Sequence, residues 1–138
     1  MAALVLDASV VLAVALQEEN RRLAAPILAR VAEAGAVVPG IWHLEVGNVL
    51  LLAERRRMIT AEERAIALDE LAKLPIATDN ETALRAWRET AELAARHKLT
   101  MYDAAHLELS LRRGLPLATF DAALRRAAGV AGVALVGG

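Results

Sequence analysis

Short apolar runs of strand length alternate along this chain with longer segments whose patterns are typical of helices. The runs carry apolar residues on both sides, which is characteristic of strands that are buried on both faces. Such strands belong to a parallel sheet covered by helices. Because connections between parallel strands cross over in a right-handed sense, the pattern predicts an α/β fold, a three-layer α/β/α sandwich with a mainly parallel central sheet.

We predict strands at residues 3–6, 36–38, 75–78, 115–119 and 133–136. Helices are predicted over residues 9–17, 22–34, 41–57, 60–74, 100–114 and 121–128, with a further helix from Asp79 or Asn80 to residue 98. Two helices begin at a threonine that is followed three residues later by an acid, Thr60 with Glu63 and Thr100 with Asp103, in the form of a capping box.

The length of the chain indicates a single domain, residues 1–138, which is large enough to bury a stable core without disulfides or structural metal ions. It has no cysteine, so disulfides, a thiol nucleophile and cysteine-ligated metals are excluded. No apolar stretch approaches the roughly 20 residues of a membrane span, and a signal peptide is not expected because the apolar N-terminus lacks a basic region. We therefore expect a cytoplasmic protein that does not contact the membrane.

The composition also suggests protein partners. Hydrophobic residues make up 57% of the chain and aromatic residues only 3%, and the net charge is −1. A small domain of this kind is expected to keep surplus apolar surface, and exposed apolar patches mark interfaces. A homodimer is the commonest outcome.

Four carboxylates occupy unusual positions. Asp7 and Asp121 each follow a predicted strand, and functional sites in open parallel sheets lie beyond the carboxyl ends of the strands. Asp103 stands at a helix start. Glu45 lies in a long uncharged helical stretch, with no lysine or arginine one turn away to pair with it, and Asn48 shares its helix face. A buried carboxylate without a partner costs several kcal/mol.

If these carboxylates converge, they repel one another and need a cation. Oxygen ligands without cysteine favour hard ions, Mg²⁺ or Mn²⁺, and Mg²⁺ held by carboxylates serves the hydrolysis of phosphodiesters. Each acid also has a simpler interpretation. Asp103 and Asp121 are good helix caps, Asp7 suits an Asx turn, and Glu45 could face solvent.

At these residues the chain resembles the PIN-domain ribonucleases, specifically the VapC-like toxins of type II toxin–antitoxin pairs. The resemblance covers essentially the whole chain. It rests on four motifs in order: a strand with D-x-S (Leu4-Val5-Leu6-Asp7-Ala8-Ser9), an E-x-x-N helix (Glu45-Val46-Gly47-Asn48), a YDA segment (Tyr102-Asp103-Ala104-Ala105) and a strand ending in T-x-D (Leu117-Ala118-Thr119-Phe120-Asp121). His106 stands where an apolar or aromatic residue is common, a variation expected to leave the chemistry untouched.

The resemblance implies a PIN-like nuclease domain that cleaves RNA phosphodiesters with Mg²⁺ (Mn²⁺ as an alternative) and is neutralised by a cognate antitoxin. Carried over residue by residue, it makes Asp7, Glu45, Asp103 and Asp121 the catalytic acids. Asp7, Asp103 and Asp121 would be the metal ligands. Ser9, Asn48 and Thr119 would be hydrogen-bonding side chains that hold the carboxylates in place, and Tyr102 would be structural.

The remaining polar and aromatic residues give weaker signals. His43, His97 and His106 lack a metal-binding spacing and are expected to be ordinary surface or half-buried histidines. Trp42 and Trp87 are expected to anchor helices in the core rather than stack on bases. With so few aromatic residues, RNA would be held through its phosphates. The candidate groups are Arg55-Arg56-Arg57, Arg112-Arg113 and Arg125-Arg126, although a solvated helix end is the default interpretation of each cluster.

Two other functions fit the residues. A non-catalytic PIN-like module could bind RNA or protein without cleaving, although a pure binder has little use for mutually repelling acids. A receiver-like phosphoacceptor domain also places aspartates at strand ends. It requires a lysine at a late strand end, however, and the predicted strands offer none.

Overall fold

The computed structural model describes residues 2–137. Its sheet contains four strands, β1 (Leu4–Leu6), β2 (Ala36–Val38), β3 (Ile76–Thr78) and β4 (Leu117–Ala118), in the order β3-β2-β1-β4. Every pairing between neighbouring strands is parallel. The predicted α/β/α sandwich with a parallel sheet is confirmed, and the strands deliver their carboxyl ends to one edge.

Helices fill the connections between the strands, and one more helix follows β4. In chain order they are α1 (Ala8–Ala15), α2 (Arg21–Ala34), α3 (Trp42–Arg55), α4 (Ala61–Ala72), α5 (Thr82–Arg85), α6 (Ala91–His97), α7 (Met101–Arg113) and α8 (Ala122–Ala131). Within residues 2–137, no helix is both long and apolar enough to cross a membrane.

The sheet is buried on both faces, as the apolar runs predicted. Alternate side chains of a strand point to opposite faces, so Leu4 and Leu6 pack into a core with α1, α2 and α3. Val5 and Val37 point the other way and pack against Leu107 and its neighbours on α7 and α8. The two cores on either side of the sheet therefore account for the three layers.

Two helix starts follow from threonine side chains. Thr60 accepts a hydrogen bond from the Glu63 backbone N–H at 3.0 Å, and the Glu63 carboxylate accepts one from the Thr60 N–H at 2.8 Å, so the predicted capping box is confirmed. Thr100 starts α7 by accepting from the Asp103 N–H at 3.1 Å. The second cap fixes the position of Asp103 in the first turn of α7.

The predicted helix from Asp79 or Asn80 to residue 98 differs from the structure. It consists of α5, a wider π-helical turn at Ala86–Thr90, and α6. Asp79 lies outside α5 and accepts a hydrogen bond from the Glu81 N–H at 3.2 Å. It does not begin the helix because arginines on α7 hold its carboxylate.

The predicted final strand at residues 133–136 is reduced to one parallel bridge. Leu135 pairs with Leu117, where the Leu117 N–H donates to the Ala134 carbonyl and the Val136 N–H donates to the Leu117 carbonyl, each at 2.9 Å. Since this contact is limited to a single pair, it adds no fifth strand to the sheet within residues 2–137.

The two tryptophans have opposite environments. Trp42 is buried in the core of α1, α2 and α3, as predicted. The prediction for Trp87 is wrong, because its side chain lies in the π-helical turn and is 94% exposed. Periodicity alone could not distinguish the two, since the apolar face of a helix is set by what packs against it.

Candidate acidic site

Asp7 lies directly after β1 and begins α1. Its Oδ2 atom accepts hydrogen bonds from the Ser9 hydroxyl at 2.6 Å, from the Thr119 hydroxyl at 2.8 Å and from the Ser9 backbone N–H at 3.4 Å. The last bond caps α1, so the simpler interpretation of Asp7 as a local turn residue holds as well. Three donors on one oxygen fix the orientation of this buried carboxylate.

The same two hydroxyls connect Asp7 to the segment after β4. The Ser9 hydroxyl accepts from the Phe120 N–H at 3.0 Å, and the Thr119 hydroxyl accepts from the Asp121 N–H at 3.1 Å. Asp121 in turn caps α8, since its Oδ2 accepts from the Leu124 N–H at 2.9 Å. The ends of β1 and β4 are therefore joined by a hydrogen-bonded network that carries both aspartates.

Asp103 is half-buried in the first turn of α7. Burial, together with the negative charges of Asp121 and Asp7, raises the pKa of Asp103 from its ordinary value of 3.8 to about 6. His106 and a hydrogen bond from Thr100 oppose the rise. Thus Asp103, Asp7 and Asp121, which come from three separate segments, share one electrostatic environment.

Glu45 extends this acidic group from the first turn of α3. Burial raises the pKa of Glu45 above its ordinary value of 4.5; His106 opposes the rise, while Asp7 and Asp103 contribute to it. The Glu45 Oε1 atom is buried and has no hydrogen-bond partner among the described residues. A buried carboxylate oxygen without a donor is costly, and the surroundings of Glu45 contain two further carboxylates as well as the His106 ring.

The donor set fits a hard divalent cation in its chemistry. The possible ligands are carboxylate oxygens, and one of them, Oε1 of Glu45, is buried without a hydrogen-bond partner among the described residues. The raised pKa of Asp103, caused by burial and by the neighbouring negative charges, also indicates a site that a cation would stabilise. Within residues 2–137, however, no three acidic or histidine side chains are close enough to one another to hold a metal ion as they stand. A bound cation would therefore require the carboxylates to move closer together.

The other predicted side chains of the site divide into two groups. Ser9 and Thr119 hold the Asp7 carboxylate, as described above. Asn48 lies on the exposed side of α3 and is not part of this network. Tyr102 is mostly exposed, and its backbone carbonyl is 2.9 Å from Nδ1 of His106.

His106 is a member of the site that the sequence interpretation missed. The prediction that it is an ordinary surface or half-buried histidine is wrong, because its side chain is fully buried and its Nε2 lies 3.6 Å from Oδ1 of Asp7. The signal was available in the sequence. His106 follows Asp103 by three residues, which places both side chains on the same side of α7.

Two of the predicted phosphate-binding arginines have another role. Arg112 and Arg113 bind Asp79, with shortest contacts of 2.8 Å and 2.9 Å, and Arg112 also binds Glu108 at 2.8 Å. The Asp79 side chain is fully buried, and the hydrogen bond from Arg112 holds its pKa at about 2, well below its ordinary value. This ion cluster fastens the end of β3 to α7 and leaves Arg112 unavailable to RNA.

The remaining arginine clusters differ in their surroundings. The Arg55, Arg56 and Arg57 side chains are exposed at the end of α3. Arg125 donates to the Thr119 carbonyl at 2.9 Å, and Arg126 donates to the His97 carbonyl at 3.4 Å. The end of α3 therefore presents the most open basic surface of the three predicted clusters.

Comparisons with known proteins agree with this architecture. The model of the PIN domain family matches residues 4–130. Ribonuclease VapC3 of Pyrobaculum aerophilum is 29% identical over 118 residues, which cover 86% of this chain and 88% of that protein. The crystal structure of PAE2754 from Pyrobaculum aerophilum superimposes with a TM-score of 0.68 at 21% identity, covering 91% of this chain and 79% of that one, and so shares the fold. The match to the family model extends over most of the chain and includes the elements that carry all four acids, so this protein belongs to the PIN domain family.

Proposed function

We propose that residues 1–138 form a single PIN-like nuclease domain, a Mg²⁺-dependent endoribonuclease that acts as the toxin of a type II toxin–antitoxin pair. The observation that carries the proposal is the convergence of Asp7, Glu45, Asp103 and Asp121, from four separate segments, on one electrostatic environment. The similarity to Ribonuclease VapC3 supports RNA as the substrate. Cytoplasmic RNA is the expected target.

In this proposal Asp7, Asp103 and Asp121 hold the cation. When bound, a divalent ion of this kind makes water a better nucleophile at neutral pH and offsets negative charge on the phosphate. Ser9 and Thr119 keep the Asp7 carboxylate in one orientation, so that its Oδ1 stays directed into the site. Glu45 accepts a proton or a hydrogen bond from the attacking water through its unpartnered Oε1.

RNA cleavage by the purified protein tests the proposal. Wild type is expected to cut RNA with Mg²⁺ or Mn²⁺ and to stop when EDTA is added, whereas Asp7→Asn is expected to be inactive. Asp69→Asn, which changes an exposed acid on α4, is the matched control and should retain full activity. Equal cleavage by wild type and Asp7→Asn would assign the activity to a contaminant and remove the proposal.

A non-catalytic PIN-like module that binds RNA or protein is the second candidate. It is favoured by one observation, namely that no three acidic or histidine side chains in the described part of the chain are close enough to hold a metal. RNA binding without metal-dependent cleavage would support it. The receiver-like alternative is dropped because the chain belongs to the PIN family.

Two kinds of surface support the proposed partners. The exposed arginines at the end of α3 suit RNA phosphates. Leu84 is 77% exposed and Trp87 is 94% exposed on the same helical segment, and apolar side chains exposed to this degree suit a protein interface. We propose a homodimer in which Trp87 is buried and a separate antitoxin that covers the acidic site.

Light scattering tests the homodimer directly. The wild-type mass should equal two chains, and Trp87→Ser should reduce it to one. If a short reading frame lies immediately upstream of the gene, co-expression with its product tests the antitoxin, which should co-purify and block cleavage. A one-chain mass for wild type would remove the homodimer, and free nuclease activity in the co-expressed sample would remove that antitoxin.

A further inference from the structure

The ring of His106 has a defined protonation at one nitrogen. Its Nδ1 lies 2.9 Å from the Tyr102 carbonyl oxygen, and a carbonyl can only accept, so Nδ1 carries the hydrogen. In the neutral ring Nε2 then presents a lone pair. A histidine that ligates a metal typically donates its other ring N–H to a backbone carbonyl in this manner, which fixes the direction of the free nitrogen.

The second ring nitrogen of His106, Nε2, points at the acidic site and makes no hydrogen bond with the described residues. Nε2 is buried without a hydrogen bond among the described residues, and it lies 3.6 Å from Oδ1 of Asp7. The other Asp7 oxygen, Oδ2, is occupied by Ser9 and Thr119. With the ring neutral, Nε2 and Oδ1 are two acceptor atoms that face each other, an arrangement that an ion between them would satisfy.

We propose that Nε2 of His106 is a further donor to the divalent cation beside Asp7, and that this nitrogen shifts the site toward Mn²⁺ relative to Mg²⁺. Two ligands of one ion, each about 2.1 Å from it, lie about 3.0 to 3.5 Å apart, close to the separation of Nε2 and Oδ1. Imidazole nitrogen suits transition metals better than Mg²⁺, which prefers oxygen. The inference rests on the metal site of the proposed function.

Metal binding without RNA tests this role. Calorimetric titration of the full chain with Mn²⁺ and, separately, Mg²⁺ should show that His106→Leu weakens Mn²⁺ binding at least about 10-fold and Mg²⁺ binding by less than about 3-fold. His106→Gln replaces the nitrogen with an amide oxygen and should also lose the preference for Mn²⁺. His97→Gln changes a histidine on α6 and should match wild type.

Pulsed electron paramagnetic resonance of the Mn²⁺ complex provides a readout that is independent of affinity. Wild type and His97→Gln should show coupling to an imidazole nitrogen, and both His106 variants should lack it. An unchanged Mn²⁺ to Mg²⁺ ratio in both His106 variants, or no nitrogen coupling in wild type, would overturn the role of His106 while leaving the metal site intact. If wild type bound neither ion and Asp7→Asn behaved identically, the metal site of the proposed function would fail instead.

Discussion

Replacing Asp103 with asparagine should stabilise the protein in the absence of metal. Burial and the charges of Asp121 and Asp7 raise the pKa of Asp103 from 3.8 to about 6, so the folded state disfavours the ionised form. A rise of this size corresponds to about 3 kcal/mol of unfavourable free energy. Because the side chain is only half-buried, solvent screening reduces this cost, and we expect a gain of about 1 to 2 kcal/mol.

The gain from Asp103→Asn should depend on pH in a defined direction. Well below the ordinary pKa of 3.8 the carboxyl is protonated in both the folded and the unfolded chain, so wild type carries no penalty and the two proteins should be equally stable. Between about pH 4 and pH 6 the unfolded chain ionises first, and the penalty of wild type grows. Above pH 6 the penalty is complete and the variant should exceed wild type by its full margin.

Thermal unfolding in EDTA at pH 7.5 and pH 4 measures this difference. For a domain of this size the gain corresponds to a rise in Tm of about 3 to 8 °C at pH 7.5. Asp69→Asn, at an exposed position on α4, should leave Tm unchanged. A lower Tm for Asp103→Asn at pH 7.5 would show that the carboxylate makes a stabilising contact, and would refute the argument from repulsion.

Three further changes have expected outcomes. Asp79→Asn should cost about 3 kcal/mol in urea unfolding at pH 7, because it breaks a buried pair with Arg112; since the pKa of Asp79 is about 2, this loss should shrink as pH falls from 4 toward 2. A loss of unfolding free energy below about 0.5 kcal/mol for Asp79→Asn would contradict this role of the ion pair. Thr119→Val should cost about 1 to 2 kcal/mol by removing the bonds to Asp7 and Asp121, and unchanged stability would show these bonds to be dispensable. At a protein concentration low enough for wild type to be monomeric, Trp87→Ser should change the unfolding free energy by less than about 0.5 kcal/mol, and a larger loss there would mean that the ring packs on its own chain.

The fold was predictable from local patterns. Runs such as Leu4–Leu6 and Ala36–Val38 are too apolar for a half-exposed sheet, and the helices between them leave few ways to cover both faces. Helix starts such as Thr60 follow from a side chain and a backbone group three residues apart, so they need no tertiary information. The sequence did not specify how many residues near Leu135 would pair with β4, and the structure shows a single bridge there.

The acidic positions were predictable in part, because strand ends meet at one edge of a parallel sheet. What no local pattern could supply was the environment of each side chain. Trp42 and Trp87 both lie in segments predicted to be helical, yet one is buried and the other exposed. Likewise, Arg112 looks like a free cation at a helix end until α7 is placed beside Asp79.

The sequence by itself therefore determined the layers, the parallel sheet and the set of acids, since these follow from hydrophobic periodicity and from residue types at strand ends. The tertiary structure decided which polar atoms meet. It placed Nε2 of His106 opposite Oδ1 of Asp7, and it brought the Ser9 and Thr119 hydroxyls within hydrogen-bond distance of Oδ2 of Asp7. It also left Oε1 of Glu45 without a hydrogen-bond partner among the described residues. The physical reason is that burial and hydrogen bonding depend on atoms far apart in the chain, and only packing of the elements brings them together.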